Sequence, residues 1–593
     1  MNQPTASEPS FESLVDRRQR ARWGSWAVLV LLWWLCRAIL QSRLHFGLDD
    51  FTLALGAGYA QDLLWVTCLW ASSGPRVFIS GFAALMFTAR LLDLWAVTWT
   101  GVHVGPLFWF HVDARLWRVA IEQGAPLVIG VGVGFIAMAW RLMMRAPHHG
   151  LPRWICPVVV VTIAAHTWLS PVHDADLYHL PEIIVFRSWV EHEQAAKAEA
   201  YTPSVSMQQR WRDYGWLPTP KEAVAQPDST PLDGLVVVFM ESSSASLSRV
   251  YDRAAPLDTP GLRGLAATGL TLDGYRAQAA PTHAGLLTSL CGMLPSAWPL
   301  TSARHAQLPR LPTCLPAAVV KAGGSAHLLM GSPLQFTGLD RLAEGMGFSR
   351  AEGLKEFSNG DDNSAGPWGL FDERLYEFAL KRLRQLTARR KPFLVVVSTT
   401  DGHLPGTIAP TCGQTPGKSQ FLSAQACADR ALGRFIAAVK ADPRLQKVAL
   451  VATADHAAPR VGEAAEALPG GAHFAKLPLV IDDRRQQRRR KTIDGGQVDL
   501  AATLAPLLGL RFSRGRNLLN RDSGGERVTL ARSDNAIVGI EQAGRWVEAP
   551  LSALRRRCAS GPVTQRLQCD AAAYLKALDS WWFGDRLVEF FPD

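Results

Sequence analysis

The order of apolar and polar positions divides the chain into two regimes. Up to residue 170 it carries five long apolar stretches, roughly 23–42, 51–73, 77–99, 124–143 and 154–170. A hydrocarbon core about 30 Å thick takes about 20 helical residues to cross, so each stretch predicts a transmembrane helix. The last is the shortest and contains Pro157. More spans follow the first, and no small-residue cleavage site closes it, so it reads as an anchor rather than a removable signal peptide. From residue 234 the period changes. Short β-branched runs at 235–240, 393–397 and 448–453 alternate with helical patterns such as 366–389 and 423–440. Weaker strand patterns lie at 326–330 and 477–481. That alternation predicts an α/β domain with a mostly parallel central sheet covered on both faces. The intervening 171–232 reads as a helical linker, with an amphipathic part at 183–215 suited to a membrane surface.

Composition sharpens the division. Of the 593 residues, 48% are hydrophobic and only 19% charged, and 13 of the 21 tryptophans precede residue 171. The apolar excess is therefore N-terminal, and wholesale disorder and fibrous repeats are excluded. The net charge is +10, but Lys and Arg are scattered, which gives no footprint for nucleic acid. Their placement does orient the spans. Arg17, Arg18, Arg20 and Arg22 precede the first span, Arg76 lies between the second and third, and Arg141, Arg145 and Arg153 lie between the fourth and fifth. The opposite loops hold chiefly Arg43, Arg115 and Arg118. Positive loops stay cytoplasmic, so the N-terminus is expected inside and everything after about residue 171 outside. Cysteine usage agrees. Cys36, Cys68 and Cys156 fall in spans, and the other six form near-sequence pairs Cys291/Cys314, Cys412/Cys427 and Cys558/Cys569. An even count in an exported region suggests disulfides. Arg37, Asp62, Arg90 and Asp93 fall inside spans, and the three-residue spacing of Arg90 and Asp93 suits an intramembrane ion pair.

In parallel sheets ligands gather beyond the carboxyl ends of the strands. Glu241 follows the first strong strand, Thr400-Asp401-Gly402-His403 the second, and Asp455-His456 the third. Carboxylate and imidazole groups there suit a divalent cation. Thr282, in Pro281-Thr282-His283-Ala284-Gly285, stands near the start of a predicted helix. That position suits an ordinary N-cap. The segment alone favours that reading over the other it allows, a hydroxyl that a nearby cation makes nucleophilic.

Together these residues resemble the alkaline-phosphatase/sulfatase superfamily. The five-span N-terminus resembles its membrane-anchored phosphoglycerol and phosphoethanolamine transferases, which include lipoteichoic acid synthase. Within that group the chain is most similar to periplasmic-glucan phosphoglycerol transferases. The stretches that carry the likeness are Thr282-His283-Ala284-Gly285 leading to Ser289-Leu290-Cys291-Gly292, Trp368-Gly369-Leu370-Phe371-Asp372-Glu373, and Thr399 through Pro405 followed by the Cys412/Cys427 loop. Val498 through Leu504 resembles the late helix of sulfatase-type domains. Cys291-Gly292-Met293-Leu294-Pro295 lacks the nucleophile motif of true sulfatases, which argues against sulfate-ester hydrolysis. The stretch 330–340 lacks the His, Trp and Arg expected by analogy with the glycerol phosphate site of lipoteichoic acid synthase.

The resemblance implies that Glu241, Thr282, Asp455 and His456 hold a divalent metal, with Mn²⁺ favoured and Zn²⁺ or Mg²⁺ possible. Thr282 would also be the nucleophile, His403 would touch substrate or move a proton, and His473 would be a further substrate-binding residue. The implied reaction moves phosphoglycerol from phosphatidylglycerol to a periplasmic glucan-type acceptor through a phosphothreonine, at the bacterial inner membrane. Phosphoethanolamine transfer to lipid A or glucan, or an inactive membrane scaffold, are the alternatives. The expected organisation is a cytoplasmic 1–22, a transmembrane 23–170, a linker 171–232, a sulfatase-like catalytic domain 233–510 in the periplasm, and its C-terminal part 511–593. The basic run Arg484, Arg485, Arg488, Arg489, Arg490 and Lys491 reads either as a contact with anionic lipid or as a solvated loop.

Overall fold

In a computed structural model, the described residues are 30, 31, 34, 201–218, 231–296, 310–357, 364–460, 462–468, 474–484, 488–519, 528–533, 537–542, 545–551, 554, 555, 558, 566–583 and 586–591. The chain divides into two compact units, Met1–Val190 and Glu191–Asp593. The five predicted spans lie outside the described residues apart from Val30, Leu31 and Trp34. Among the described residues no helix is long and apolar enough to cross a membrane.

The second unit is built on an eight-stranded sheet. Its strands are β1 (Gly234–Met240), β2 (Leu270–Arg276), β4 (Ser325–Met330), β5 (Arg350–Glu352), β8 (Phe393–Ser398), β9 (Val448–Ala454), β10 (Leu479–Asp482) and β11 (Arg489–Gly496), in the order β11-β2-β10-β9-β1-β8-β4-β5. β1 is central and parallel to both neighbours, with Val237 beside Val396 of β8 and Val451 of β9. Its sequence, Gly-Leu-Val-Val-Val-Phe-Met, is apolar on both faces because both faces are covered. Leu235, Val237 and Phe239 enter one core, and Val236 and Val238 enter the other.

The first core is closed by helix α3 (Thr282–Cys291), the short α6 (Leu500–Leu504) and the C-terminal α7 (Arg566–Phe583). The second is closed by α4 (Asp372–Thr387) and α5 (Gln420–Ala441), with α2 (Pro260–Ala266) beside them. In α4 the residues Leu375, Tyr376, Ala379, Leu383 and Leu386 recur at helical spacing and are all buried.

The sheet is mixed rather than uniformly parallel. β10 runs antiparallel to both β9 and β2. Its chain leaves β9 at the carboxyl edge, carries Asp455 and His456 across that edge, and re-enters the sheet from the same side, which reverses the strand. A second sheet, in the order β14-β13-β12-β3, joins β3 (Ala279–Ala280) to β12 (Leu530–Ser533), β13 (Ile537–Gln542) and β14 (Arg545–Pro550). A small pair, β6 (Ala365–Gly366) and β7 (Gly369–Leu370), precedes α4.

Of the predicted linker helix, α1 (Val205–Asp213) is described, and it docks through Trp211 on the C-terminal helix. Trp211 is fully buried and meets Tyr574 and Trp581 of α7 edge-on, with ring centroids 5.4 and 6.2 Å away. Arg210 grips Asp570 of α7 with two bonds of 2.8 and 2.7 Å. The apolar face of this helix is thus spent on α7. The structure also joins Cys291 to Cys314, Cys412 to Cys427 and Cys558 to Cys569.

Candidate active site

Three neighbouring strands deliver their C-terminal residues to one edge. Met240 of β1 pairs with Ala454 of β9, so Glu241 and Asp455 emerge side by side. β8 ends at Ser398 on the other side of β1 and leads into the loop that carries His403.

Glu241, Asp455 and His456 are buried and present ligand atoms that all lie within 4.8 Å of one another. His456 Nε2 is 3.4 Å from Glu241 Oε1 and 3.5 Å from Asp455 Oδ2. The other ring nitrogen, Nδ1, lies 2.9 Å from the Ala457 carbonyl. Donation to that carbonyl leaves Nε2 to face the carboxylates. Ser242 adopts the left-handed backbone (φ 53°), uncommon for a non-glycine. The turn lets its hydroxyl donate to Glu241 Oε1 at 2.6 Å and its N–H donate to Asp455 Oδ1 at 3.1 Å. His456 N–H donates to the same Asp455 oxygen at 2.9 Å.

Thr282 is the first residue of α3, and Pro281 occupies the N-cap position. The threonine hydroxyl donates to Glu241 Oε2 at 3.2 Å. It is therefore aimed at the acid cluster, and the cap position is taken by another residue. The side chain is half-buried, so a substrate can reach it.

The electrostatics are those of two buried acids crowded against one imidazole. Burial, followed by the charge of Glu241, raises the Asp455 carboxyl to about 7. Burial works against ionised Glu241 as well, but the hydrogen bond and charge of His456 outweigh it and hold that carboxyl down at about 2. Burial opposes protonation of His456, yet the charge of Asp455 and the hydrogen bond to Glu241 raise it to about 10. Asp455 Oδ2 is buried without a hydrogen-bond donor. Two carboxylates, an imidazole and a hydroxyl around an orphaned carboxylate oxygen fit a divalent cation.

His403 lies beside this cluster, near enough for its charge to bear on Glu241. Its Nδ1 is 3.1 Å from the Leu404 carbonyl, which also accepts the Trp368 indole N–H at 3.0 Å. The Trp368 and His403 rings lie 3.8 Å apart. Trp368 was visible in the sequence only as part of a motif. The fold carries it to His403 through the β6–β7 pair.

Asp401 lies outside the cluster of Glu241, Asp455 and His456. Its carboxylate accepts the Asp372 N–H at 3.1 Å, and Asp372 in turn accepts the N–H groups of Thr400 and Asp401 at 2.9 and 3.2 Å. This reciprocal clasp ties the His403 loop to the start of α4. Burial raises both acids: Asp372, also pushed by the charge of Glu241, to about 7, and Asp401, also pushed by the charge of Asp372, to about 9. No single-residue signal revealed the pair, because each Asp makes sense only once the other strand end is placed. His473 lies outside the described residues. In the basic run, Arg490 is paired with Asp273 at 3.1 Å and Lys491 donates to the Leu518 carbonyl at 2.9 Å, so those two side chains are engaged within the domain.

Residues 234–510 match the Sulfatase family. The matched stretch, just under half of the chain, carries a sulfatase-type domain. The chain is similar to Phosphoglycerol transferase I of Shigella flexneri, 27% identical over 296 residues, covering 47% of this chain and 38% of that protein. It is also similar to Phosphoglycerol transferase I of Escherichia coli strain UTI89, 26% identical over 407 residues, covering 66% and 48%. The chain thus spans less than half the length of these relatives.

Two solved structures share the fold. A protein in the alkaline phosphatase superfamily from Vibrio parahaemolyticus is 18% identical with a TM-score of 0.50, covering 66% of this chain and 94% of that one. The lipoteichoic acid synthase LtaP from Listeria monocytogenes is 16% identical with a TM-score of 0.50, covering 64% and 98%.

Proposed function

We propose that the chain is a membrane-anchored, metal-dependent phosphotransferase of the bacterial inner membrane. In this reading it moves phosphoglycerol from phosphatidylglycerol to a periplasmic glucan-type acceptor, and Thr282 carries the group between them. One observation supports this above the others: the hydroxyl of half-buried Thr282 lies 3.2 Å from Glu241, which Asp455 and His456 join in a compact group able to hold a metal. The likeness to the phosphoglycerol transferases I of Shigella flexneri and Escherichia coli supports phosphoglycerol as the group moved.

A divalent cation held by Glu241, Thr282, Asp455 and His456, with Mn²⁺ favoured over Zn²⁺ or Mg²⁺, would favour the ionised hydroxyl and offset charge on the phosphoryl oxygens. Thr282 Oγ1 attacks phosphorus, the bond from phosphorus to the diacylglycerol oxygen breaks, and diacylglycerol leaves as an alcohol. His403, with Nδ1 engaged at Leu404, has Nε2 to deliver the proton that oxygen needs. An acceptor hydroxyl then yields its proton to His403 and attacks phosphorus, and the bond to Thr282 Oγ1 breaks. The proton Thr282 loses in the first step returns in the second through solvent. Two displacements on one side chain replace a single direct transfer between two bulky substrates.

The test uses the purified full chain with phosphatidylglycerol labelled in the headgroup glycerol. Label on the Thr282 peptide together with released diacylglycerol is expected. Label taken instead from phosphatidylethanolamine would reassign the donor. Wild-type turnover in Thr282→Ala would overturn the reading.

A further inference from the structure

Gln497, at the end of β11, is fully buried, and both ends of its side-chain amide are engaged. Its Oε1 accepts the backbone N–H groups of Gln278 at 2.7 Å and Ala279 at 3.0 Å. Those residues lead directly into Thr282. Its Nε2 donates to the backbone carbonyl of Asp455 at 2.5 Å and to Ser289 Oγ of α3 at 3.4 Å. One side chain therefore holds the strand before Thr282, the helix after it, and the backbone of Asp455.

The surroundings leave little slack. Gln278 returns the contact, since its Oε1 accepts the Val498 N–H at 3.0 Å while its Nε2 donates to the Leu530 carbonyl at 2.8 Å. A methyl group at Gly285 would overlap the Asp455 carbonyl, and one at Gly496 would overlap Gln278 Oε1. The backbones are thus packed to contact around this amide.

We propose that Gln497 is a positioning residue that sets the placement of Thr282 against Asp455 and its neighbours. The inference rests on the function proposed above. An amide is needed because both donors and acceptors are used at once. Glutamate keeps the acceptors for Gln278 and Ala279 but turns an oxygen toward the Asp455 carbonyl. Asparagine has the right groups but is one methylene short of bridging both sides.

The experiment compares wild type, Gln497→Glu and Gln497→Asn as solubilised full chains. Each is scored per folded molecule for Mn²⁺ binding by equilibrium dialysis, and for kcat and KM of diacylglycerol release from phosphatidylglycerol. In the variants we expect kcat to fall about 30-fold, since a displacement near 1 Å can cost as much as about 100-fold. Mn²⁺ affinity should weaken about tenfold, in line with losses of residues behind a metal ligand. KM should stay within about threefold, because Gln497 touches no substrate. A purely structural role would lower the folded fraction and leave these per-molecule values unchanged, and that result would overturn the proposal. If Gln497→Glu does not fold, Gln497→Asn decides. Failure of both to fold would also overturn it, by assigning Gln497 to the fold rather than to the site. Wild type that neither binds Mn²⁺ nor releases diacylglycerol would instead sink the underlying function, so the two failures are distinguishable.

Discussion

Thr282 is set apart from an ordinary helix-start threonine by the direction of its hydroxyl, which meets Glu241 while Pro281 fills the cap position. The sequence left those two roles open, because a threonine near a helix start reads the same either way. The contact of its hydroxyl with Glu241 favours the second role. Thr282→Ala should keep the melting temperature within a few degrees and lose at least about 1,000-fold in turnover, while Thr282→Ser, which keeps a hydroxyl, should retain measurable activity. Steady-state assays of the two variants check this.

A second residue-scale consequence concerns acid stability. His327 of β4 is buried, its Nδ1 takes a hydrogen bond from Arg382 at 2.8 Å, and its Nε2 has no partner. Burial, followed by the charges of Arg382, Arg389 and Arg350, lowers it from 6.5 to about 4. The folded form thus binds this proton less well than the unfolded chain. The stability it contributes is present above pH 6.5 and is lost as pH falls toward 4. Denaturant titrations at several pH values should show this loss in wild type and a flatter profile in His327→Gln.

At the scale of elements, the strong strands and long helices were legible because their patterns are unambiguous. β1, β8 and β9 are continuous apolar runs buried on both faces, and α4 and α5 carry helical periodicity over many turns. The reversal of β10 was not legible, since a four-residue apolar strand has the same composition in either direction. The role of the C-terminal segment was hidden too, because it depends on contacts across hundreds of residues. β12 pairs with β3, placing Arg532 beside Ala279 just before Thr282. Arg532 is fully buried and held by Asp579 of α7 through bonds of 2.8 and 2.7 Å. Removing Asp579 strands a buried cation. Asp579→Ala should cost about 3–5 kcal/mol in equilibrium unfolding. The docked α1 gives a parallel expectation: Trp211→Ala should destabilise by about 3–5 kcal/mol, readable in the same experiment.

For the whole second unit, fold and site form one system. The sheet places Glu241, Asp455 and His456 at one edge, where burial and the charge of Glu241 oppose ionisation of Asp455. Chelation should therefore abolish activity and lower the melting temperature, and a cation at about 100 times its dissociation constant should restore about 2.7 kcal/mol. Thermal melts with and without EDTA and added Mn²⁺ check this.

The proposed reaction depends on a single cation shared by side chains that are distant in sequence. Anomalous diffraction at the manganese edge, from crystals grown with Mn²⁺, tests it most directly. The account predicts one strong peak within about 2.5 Å of oxygen or nitrogen atoms of Glu241, Thr282, Asp455 and His456. A fully occupied manganese elsewhere, with that position dark, would contradict it.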